Sequence, residues 1–177
     1  IWERPRKNTV KLLLLFDSDG SMMPYSSLCS RLFQAVSKSN HFKDLKAYYF
    51  HNCIYEHLYT TPHCRRGEWI DTEWVLKNLS GEYKVIFIGD ASMAPSELMS
   101  KGGNCFVGLY NEIPGIDWLN RFKKKYPKQI WLNPIPEREW EYTYGARTLL
   151  KVKELFPMYE LTIDGLEAGI KKLLVSK

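Results

Sequence analysis

Two short apolar runs, residues 10–16 and 84–89, indicate buried strands in this chain. The first is broken only by Lys11. Apolar runs of this length, without the alternation of a half-exposed strand, predict central strands that are covered on both faces. Each run ends directly on an aspartate, Asp17 or Asp90. Because open α/β sheets bind ligands beyond the carboxyl ends of their strands, both aspartates are candidate site residues.

Helical and strand-like patterns alternate along the rest of the chain. Pro24 and the apolar residues after it predict a helix behind the first strand. The later pattern predicts a hairpin of strands 45–51 and 54–58, and further strands at 129–132 and 158–161. It predicts a helix over 72–79, one that begins at Pro95, one that ends before Pro127 and one over 145–155. Thr162 is predicted to cap a last helix. This order predicts an α/β fold, a three-layer α/β/α sandwich of the Rossmann-like kind, with a mostly parallel central sheet and one antiparallel edge hairpin. Residues 1–9 are interpreted as an N-terminal extension and residues 10–177 as one domain.

The composition narrows the class of protein. Of the 177 residues, 45% are hydrophobic and 25% are charged, which is typical of a globular domain and not of a disordered chain. No apolar run reaches the roughly 18 residues needed to span a bilayer, and the first residues lack the apolar core of a signal peptide. We therefore expect a cytoplasmic protein without a membrane partner.

The net charge of +5 raises the question of nucleic-acid binding. Basic residues cluster at 4–7, 65–66 and 123–125, and basic patches are a feature of nucleic-acid-binding proteins. The Lys triplet at 123–125 falls on the polar side of a predicted helix, so a solvated surface is the favoured interpretation. Nucleic acid is therefore not an expected partner.

The cysteines do not indicate a disulfide framework or a zinc site. The chain has four cysteines and no CxxC pair, which favours free thiols in a reducing compartment. Three histidines and two cysteines lie between residues 51 and 64, but their spacing matches no usual zinc pattern. These residues are interpreted as part of the predicted hairpin and its loop.

The segment that follows the first strand, Asp-Ser-Asp-Gly-Ser at 17–21, has the composition of a cation site. Asp17, Asp19 and Ser21 place oxygen atoms at alternate positions. Hard oxygens of this kind suit Mg²⁺, with Mn²⁺ and Ca²⁺ as alternatives. A helix cap would also explain such residues. Two carboxylates that end two buried strands, however, would repel each other without a cation between them.

The same segment resembles the first motif of haloacid-dehalogenase-type phosphatases. This resemblance implies that Asp17 is a nucleophile and Asp19 a general acid/base beside Mg²⁺, with Asp90 as a further ligand of the ion. That family has a second acidic residue soon after its Gly-Asp pair, whereas residues 91–94 are Ala-Ser-Met-Ala. A Mg²⁺-dependent phosphatase is therefore the alternative hypothesis.

The segment also resembles the metal-ion-dependent adhesion site of von Willebrand factor A domains, which is Asp-x-Ser-x-Ser. Asp17 and Ser21 fall on that pattern, and Asp90 stands where the family has an aspartate after a later strand. Asp19 occupies the position of the first serine, so this chain adds one carboxylate to the site.

A threonine from a second loop completes the adhesion site in that family. Thr72 is the candidate, because it lies between the predicted hairpin and the strand that ends at Asp90, and Thr61 is the alternative. The metal ligands implied by the resemblance are Asp17, Asp19, Ser21, Thr72 and Asp90.

Four further segments resemble the bacterial CoxE-like group of von Willebrand A proteins and occur in the same order. They are Phe-His-Asn at 50–52, Ile-Gly-Asp-Ala-Ser-Met-Ala-Pro at 88–95, Ile-Trp-Leu-Asn-Pro at 130–134 and Leu-Thr-Ile-Asp-Gly-Leu at 161–166. The resemblance implies a non-enzymatic domain that binds the acidic side chain of a protein partner through its metal ion. It also implies work with a MoxR-type AAA+ ATPase in the assembly or maturation of other proteins.

Overall fold

The computed structural model describes residues 10–38, 42–104 and 108–174. Within these ranges, seven strands form one sheet and six α-helices accompany it. The strands are β1 (Val10–Asp17), β2 (Phe42–Phe50), β3 (His57–Tyr59), β4 (Trp69–Asp71), β5 (Lys84–Ile88), β6 (Gln129–Asn133) and β7 (Met158–Glu160). The helices are α1 (Ser26–Lys38), α2 (Thr72–Asn78), α3 (Pro95–Met99), α4 (Gly115–Lys125), α5 (Ala146–Leu155) and α6 (Ile163–Leu174). Residues 1–9, predicted to be an N-terminal extension, lie outside the described residues.

The sheet is mostly parallel, as predicted. Its strand order is β4-β3-β2-β1-β5-β6-β7. The pairs β1–β2, β1–β5, β5–β6 and β6–β7 are parallel, whereas β3 is antiparallel to both of its neighbours. The chain first runs from β1 to one side of the sheet and later, from β5 onward, to the other. The carboxyl ends of β1 and β5 therefore lie at the point where the strand order reverses, which is where such sheets bind ligands.

Apolar side chains cover both faces of the central strands, which explains why β1 has no polar–apolar alternation. Leu13 and Leu15 belong to one buried cluster, together with residues of α2, α3, α4 and α5. Leu12 and Leu14 belong to a second cluster, together with residues of α1 and α6. The helices thus form one layer on each face, and the predicted three-layer α/β/α arrangement is confirmed.

The antiparallel edge differs in detail from the prediction. The second hairpin strand is His57–Tyr59 and not 54–58, and β4 was not predicted. The helix expected from Pro24 begins as a 3-10 turn, Gly20–Tyr25, and continues as α1 from Ser26. The predicted cap of α6 is confirmed, because the amide of Gly165 donates to the hydroxyl of Thr162 at 3.1 Å.

The state of the cysteines and the length of the helices can be compared with the expectations from the sequence. Cys29, Cys53 and Cys64 are buried free thiols, while Cys105 lies outside the described residues. Across the described ranges, no helix is both long enough and apolar enough to cross a membrane.

Candidate metal centre

Asp17 ends β1 as a nearly fully buried carboxylate, only 2% exposed. Its Oδ1 atom accepts a hydrogen bond of 2.9 Å from the backbone amide of Asn52. Its Oδ2 atom is also buried and has no hydrogen-bond partner among the described residues. Burial, and secondly repulsion from Asp90, raise the pKa of Asp17 well above its usual value. The fold therefore holds a carboxylate oxygen that lacks a partner within the described chain.

Gly89 lets this carboxylate lie against the end of β5. A Cβ atom at position 89 would stand 2.7 Å from the Cβ of Asp17 and 3.2 Å from its Oδ2. Both of these Cβ positions are fixed by the backbone, so neither can move away easily. Glycine at 89 is therefore required by the close approach of Asp17, and it directly precedes the second aspartate.

Asp90 is the second buried carboxylate, 3% exposed. Its Oδ1 accepts a hydrogen bond of 2.9 Å from the amide of Ser92, and its carboxylate also bonds to the hydroxyl of Ser21. Burial raises the pKa of Asp90, although these two bonds and the nearby ring of His51 act in the opposite direction. The bond from Ser21 joins the loop after β1 to the loop after β5, so the structure brings Asp17, Ser21 and Asp90 to one place.

Buried side chains from later in the chain fix the backbone around Asp90. The indole of Trp131 donates to the carbonyl of Gly89 at 2.7 Å, and the amide of Asn133 donates to the carbonyl of Asp90 at 2.9 Å. The hydroxyl of Thr148 accepts from the amide of Met93 at 3.1 Å. The Trp-Leu-Asn stretch of β6 thus holds the loop that carries Asp90.

Two residues that link the loops around the candidate site, Asn52 and Glu97, were not predicted from the sequence. Asn52 has a positive φ of 59°. Its backbone amide donates to Asp17, and its side-chain amide donates to Glu97 at 2.8 Å. The other oxygen of Glu97 accepts from the amide of Ala94 at 2.9 Å. An asparagine directly after a strand is a signal for such a left-handed position. The Glu97 contact has no comparable signal, because its partner lies 45 residues away.

Asp19 lies on the first loop but is exposed, with a positive φ of 69°. Its backbone carbonyl accepts from the amide of Met22 at 3.0 Å, which starts the turn that leads into α1. Its side chain therefore lies nearer to solvent than those of Asp17 and Asp90. Asp19 stays a predicted ligand at the outer side of the site.

The two candidate threonines lie at the β3–β4 edge. The buried hydroxyl of Thr72 donates to the carbonyl of Tyr55 at 2.5 Å. The hydroxyl of Thr61 donates to Glu68 at 2.9 Å. Among the described residues, these hydroxyls bond within that edge and not to Asp17 or Asp90, and β4 lies three strands from β1. Neither hydroxyl is hydrogen-bonded to the two aspartates, although the loop of Thr61 reaches the first loop, where the hydroxyl of Ser18 donates to the carbonyl of Pro62 at 2.6 Å. Both threonines stay predicted ligands.

The residues that do meet are suited to a hard cation. In the described part of the chain, no group of three or more His, Cys, Asp or Glu side chains is placed to hold a metal ion. A site here would instead combine two carboxylates with a hydroxyl, which are oxygen donors of the kind that Mg²⁺ prefers. The unpartnered Oδ2 of Asp17 and the repulsion between the two aspartates fit a cation between them.

Comparison with known proteins assigns this chain to no family. The sequence matches no protein-family model, no curated protein and no solved structure.

The raised pKa of Asp17 predicts how the metal-free protein responds to pH. As pH falls through this raised pKa, the folded state takes up a proton that the unfolded state, with a pKa of about 3.9, does not yet bind. Folding is therefore favoured increasingly until about pH 4, where this gain is complete. We expect the stability difference between the wild type and Asp17→Asn, measured by urea denaturation with EDTA, to shrink across this range. A difference that is constant from pH 7 to pH 4 would contradict the assignment.

Proposed function

We propose that this chain is a non-enzymatic protein-interaction domain that binds its partner through a divalent cation at the carboxyl ends of β1 and β5. The observation that carries the proposal is the pair of buried aspartates, Asp17 and Asp90, with one oxygen of Asp17 unpartnered among the described residues. These carboxylates and the hydroxyl of Ser21 would hold Mg²⁺, or Mn²⁺ or Ca²⁺, with Asp19 as an outer ligand. The ion would supply the positive charge to which a partner carboxylate binds.

The surface beside Asp90 supports a role in binding. A cavity of about 500 Å³ has Ser21, His51 and Asp90 in its walls, and the exposed side chain of Tyr144 lies at its edge. A side chain of a partner can therefore approach Asp90 from solvent without a rearrangement of the core. This accessible approach is what a cation that links two proteins requires.

The nature of the partner rests on the resemblance to the CoxE-like group. We propose a protein that presents an acidic side chain, acting with a MoxR-type AAA+ ATPase in the cytoplasm. The excess of positive charge on the chain, +5, is compatible with an acidic partner surface.

Calorimetric titration with Mg²⁺ and Mn²⁺ tests the proposal. We expect the wild type to bind one ion and Asp90→Asn to bind it at least about tenfold more weakly, because the variant lacks one of the two charged ligands. Asp117→Asn is the matched control, since Asp117 is exposed on α4 and should leave the affinity unchanged. Absence of binding by the wild type, or equal binding by Asp90→Asn, would refute the proposed site.

The same protein samples also test the phosphatase alternative. We expect no turnover of 4-nitrophenyl phosphate with Mg²⁺. Turnover that is lost in Asp17→Asn would replace the binding proposal with the enzymatic one, because Asp17 would then act as the nucleophile.

A further inference from the structure

Ala91, which directly follows Asp90, has a backbone conformation that alanine rarely adopts. Its φ is 55°, in the left-handed region, and the residue is fully buried. This region is costly for a residue with a Cβ atom, whereas glycine enters it freely. Such a conformation persists only where the surrounding structure holds it, and functional sites are a common place for it. The groups that hold Ala91 therefore bear on the neighbouring carboxylate.

The turn at Ala91 determines where the carboxylate of Asp90 points. The Oδ1 atom of Asp90 accepts a hydrogen bond of 2.9 Å from the amide of Ser92, so this bond closes over Ala91. A change of φ at Ala91 would move the amide of Ser92 away from the carboxylate. The orientation of Asp90 is thus linked to the backbone conformation of the next residue.

Thr148, in the first turn of α5, contacts this turn through its hydroxyl and is only 2% exposed. The hydroxyl accepts from the amide of Met93 at 3.1 Å. It also lies 3.0 Å from the carbonyl oxygens of Ala91 and Met93, and 2.8 Å from that of Gly145. Because a hydroxyl has one proton, it donates to one of these carbonyls while it accepts the bond from Met93. A single buried hydroxyl therefore contacts the loop at both Ala91 and Met93.

The start of α5 packs closely on the same loop, which fixes the position of this hydroxyl. Gly145 has a positive φ of 77°, and a Cβ atom there would stand 2.5 Å from the Oγ of Ser92 and 3.0 Å from the amide nitrogen of Met93. The hydroxyl of Ser92 also donates to the carbonyl of Tyr144. The loop after Asp90 and the start of α5 are therefore in direct contact at several points.

We propose that Thr148 is a positioning residue, whose hydroxyl holds Ala91 in its left-handed conformation and so fixes the carboxylate of Asp90. Thr148 acts through the loop and would touch neither the cation nor the partner. Its effect on metal binding rests on the function proposed above. Its effect on the bond between Asp90 and Ser92 needs no metal, so the two can be tested separately.

Amide hydrogen exchange in EDTA tests the metal-free part. Thr148→Val keeps the shape of the side chain and removes the hydroxyl. Relative to the amides of β1, we expect the amides of Ser92 and Met93 to exchange at least about tenfold faster, because they lose or weaken the bonds that protect them. Thr148→Ser should restore slow exchange. Thr162→Val, which loses a hydroxyl bond at α6, is the matched control and should leave both amides unchanged. Wild-type exchange of Ser92 in Thr148→Val would overturn the proposal.

Calorimetric titration with Mg²⁺ tests the effect on the metal. Groups that orient a metal ligand typically contribute about 10- to 100-fold to affinity. We expect Thr148→Val to bind Mg²⁺ about tenfold more weakly, and Thr148→Ser and Thr162→Val to bind it like the wild type. Wild-type affinity in Thr148→Val would overturn the positioning role and leave the proposed metal site intact. Absence of binding by the wild type would refute the metal site, and the exchange of Ser92 would then decide on Thr148 alone.

A glycine at position 91 tests whether Thr148 acts against backbone strain. Glycine adopts the left-handed conformation without the steric cost of a Cβ atom. We therefore expect the double variant Thr148→Val, Ala91→Gly to recover part of the slow exchange of Ser92. If the double variant exchanged as fast as Thr148→Val alone, Thr148 would not be holding a strained Ala91, and the proposal would be wrong.

Discussion

Replacement of Asp17 by asparagine is expected to stabilise the metal-free protein and to abolish its response to Mg²⁺. Without metal, the variant removes a buried charge that faces a second carboxylate, while its side-chain oxygen can still accept the bond from Asn52. We expect a gain in the free energy of unfolding of roughly 1 to 3 kcal/mol at neutral pH, the usual size of an uncompensated buried polar group. Urea denaturation in EDTA measures it.

With metal, the wild type should recover most or all of this difference in stability. A ligand that binds only the folded state at one hundred times its dissociation constant adds about 2.7 kcal/mol to stability. We expect the wild type to gain this amount with Mg²⁺ and Asp17→Asn to gain none. Asp117→Asn, on exposed α4, should keep the full gain. If Asp17→Asn destabilised the protein in EDTA and still responded to Mg²⁺, Asp17 would be a structural residue and not a ligand.

The central strands were predictable because their signal is local. The runs that became β1 and β5 are apolar on both faces, and helices indeed cover both faces. β4 has only three residues, too few to show a period of two, and it pairs with β3, which is equally short. Residues 53–55 are buried although they lie outside the named strands, and they are apolar for that reason. Their apolar pattern resembles that of a strand, but the strand itself forms only at His57–Tyr59.

The candidate site was predictable only where its residues end strands. Asp17 and Asp90 follow apolar runs, and parallel neighbouring strands bring their ends together. The contacts of Asn52 with Asp17 and Glu97 join residues 35 and 45 positions apart, and they depend on a left-handed backbone that the sequence marks only weakly. The place of Thr72 after the hairpin did not reveal that it follows an additional edge strand, or that its hydroxyl donates to the carbonyl of Tyr55.

Trp131 is where the core and the candidate site are connected, so its removal should have the largest effect on stability. Its side chain is 1% exposed, stacks on Phe87 at 5.1 Å and donates to the carbonyl of Gly89 at 2.7 Å. We expect Trp131→Ala to lower the free energy of unfolding by about 3 to 5 kcal/mol, which is typical of a large aromatic side chain removed from a core. Urea denaturation measures this loss.

Two variants separate the contributions of packing and of the hydrogen bond. Trp131→Phe keeps an aromatic ring against Phe87 but leaves the buried carbonyl of Gly89 without its donor, which should cost roughly 1 to 3 kcal/mol. Because Gly89 lies between Asp17 and Asp90, this variant should also bind Mg²⁺ more weakly. Trp74→Ala is the matched control: Trp74 is 46% exposed, and its loss should cost less than about 1 kcal/mol. Equal losses of stability for Trp131→Ala and Trp74→Ala would mean that Trp131 does not support the sheet. Unchanged Mg²⁺ affinity in Trp131→Phe would mean that the hydrogen bond from Trp131 to Gly89 does not affect metal binding.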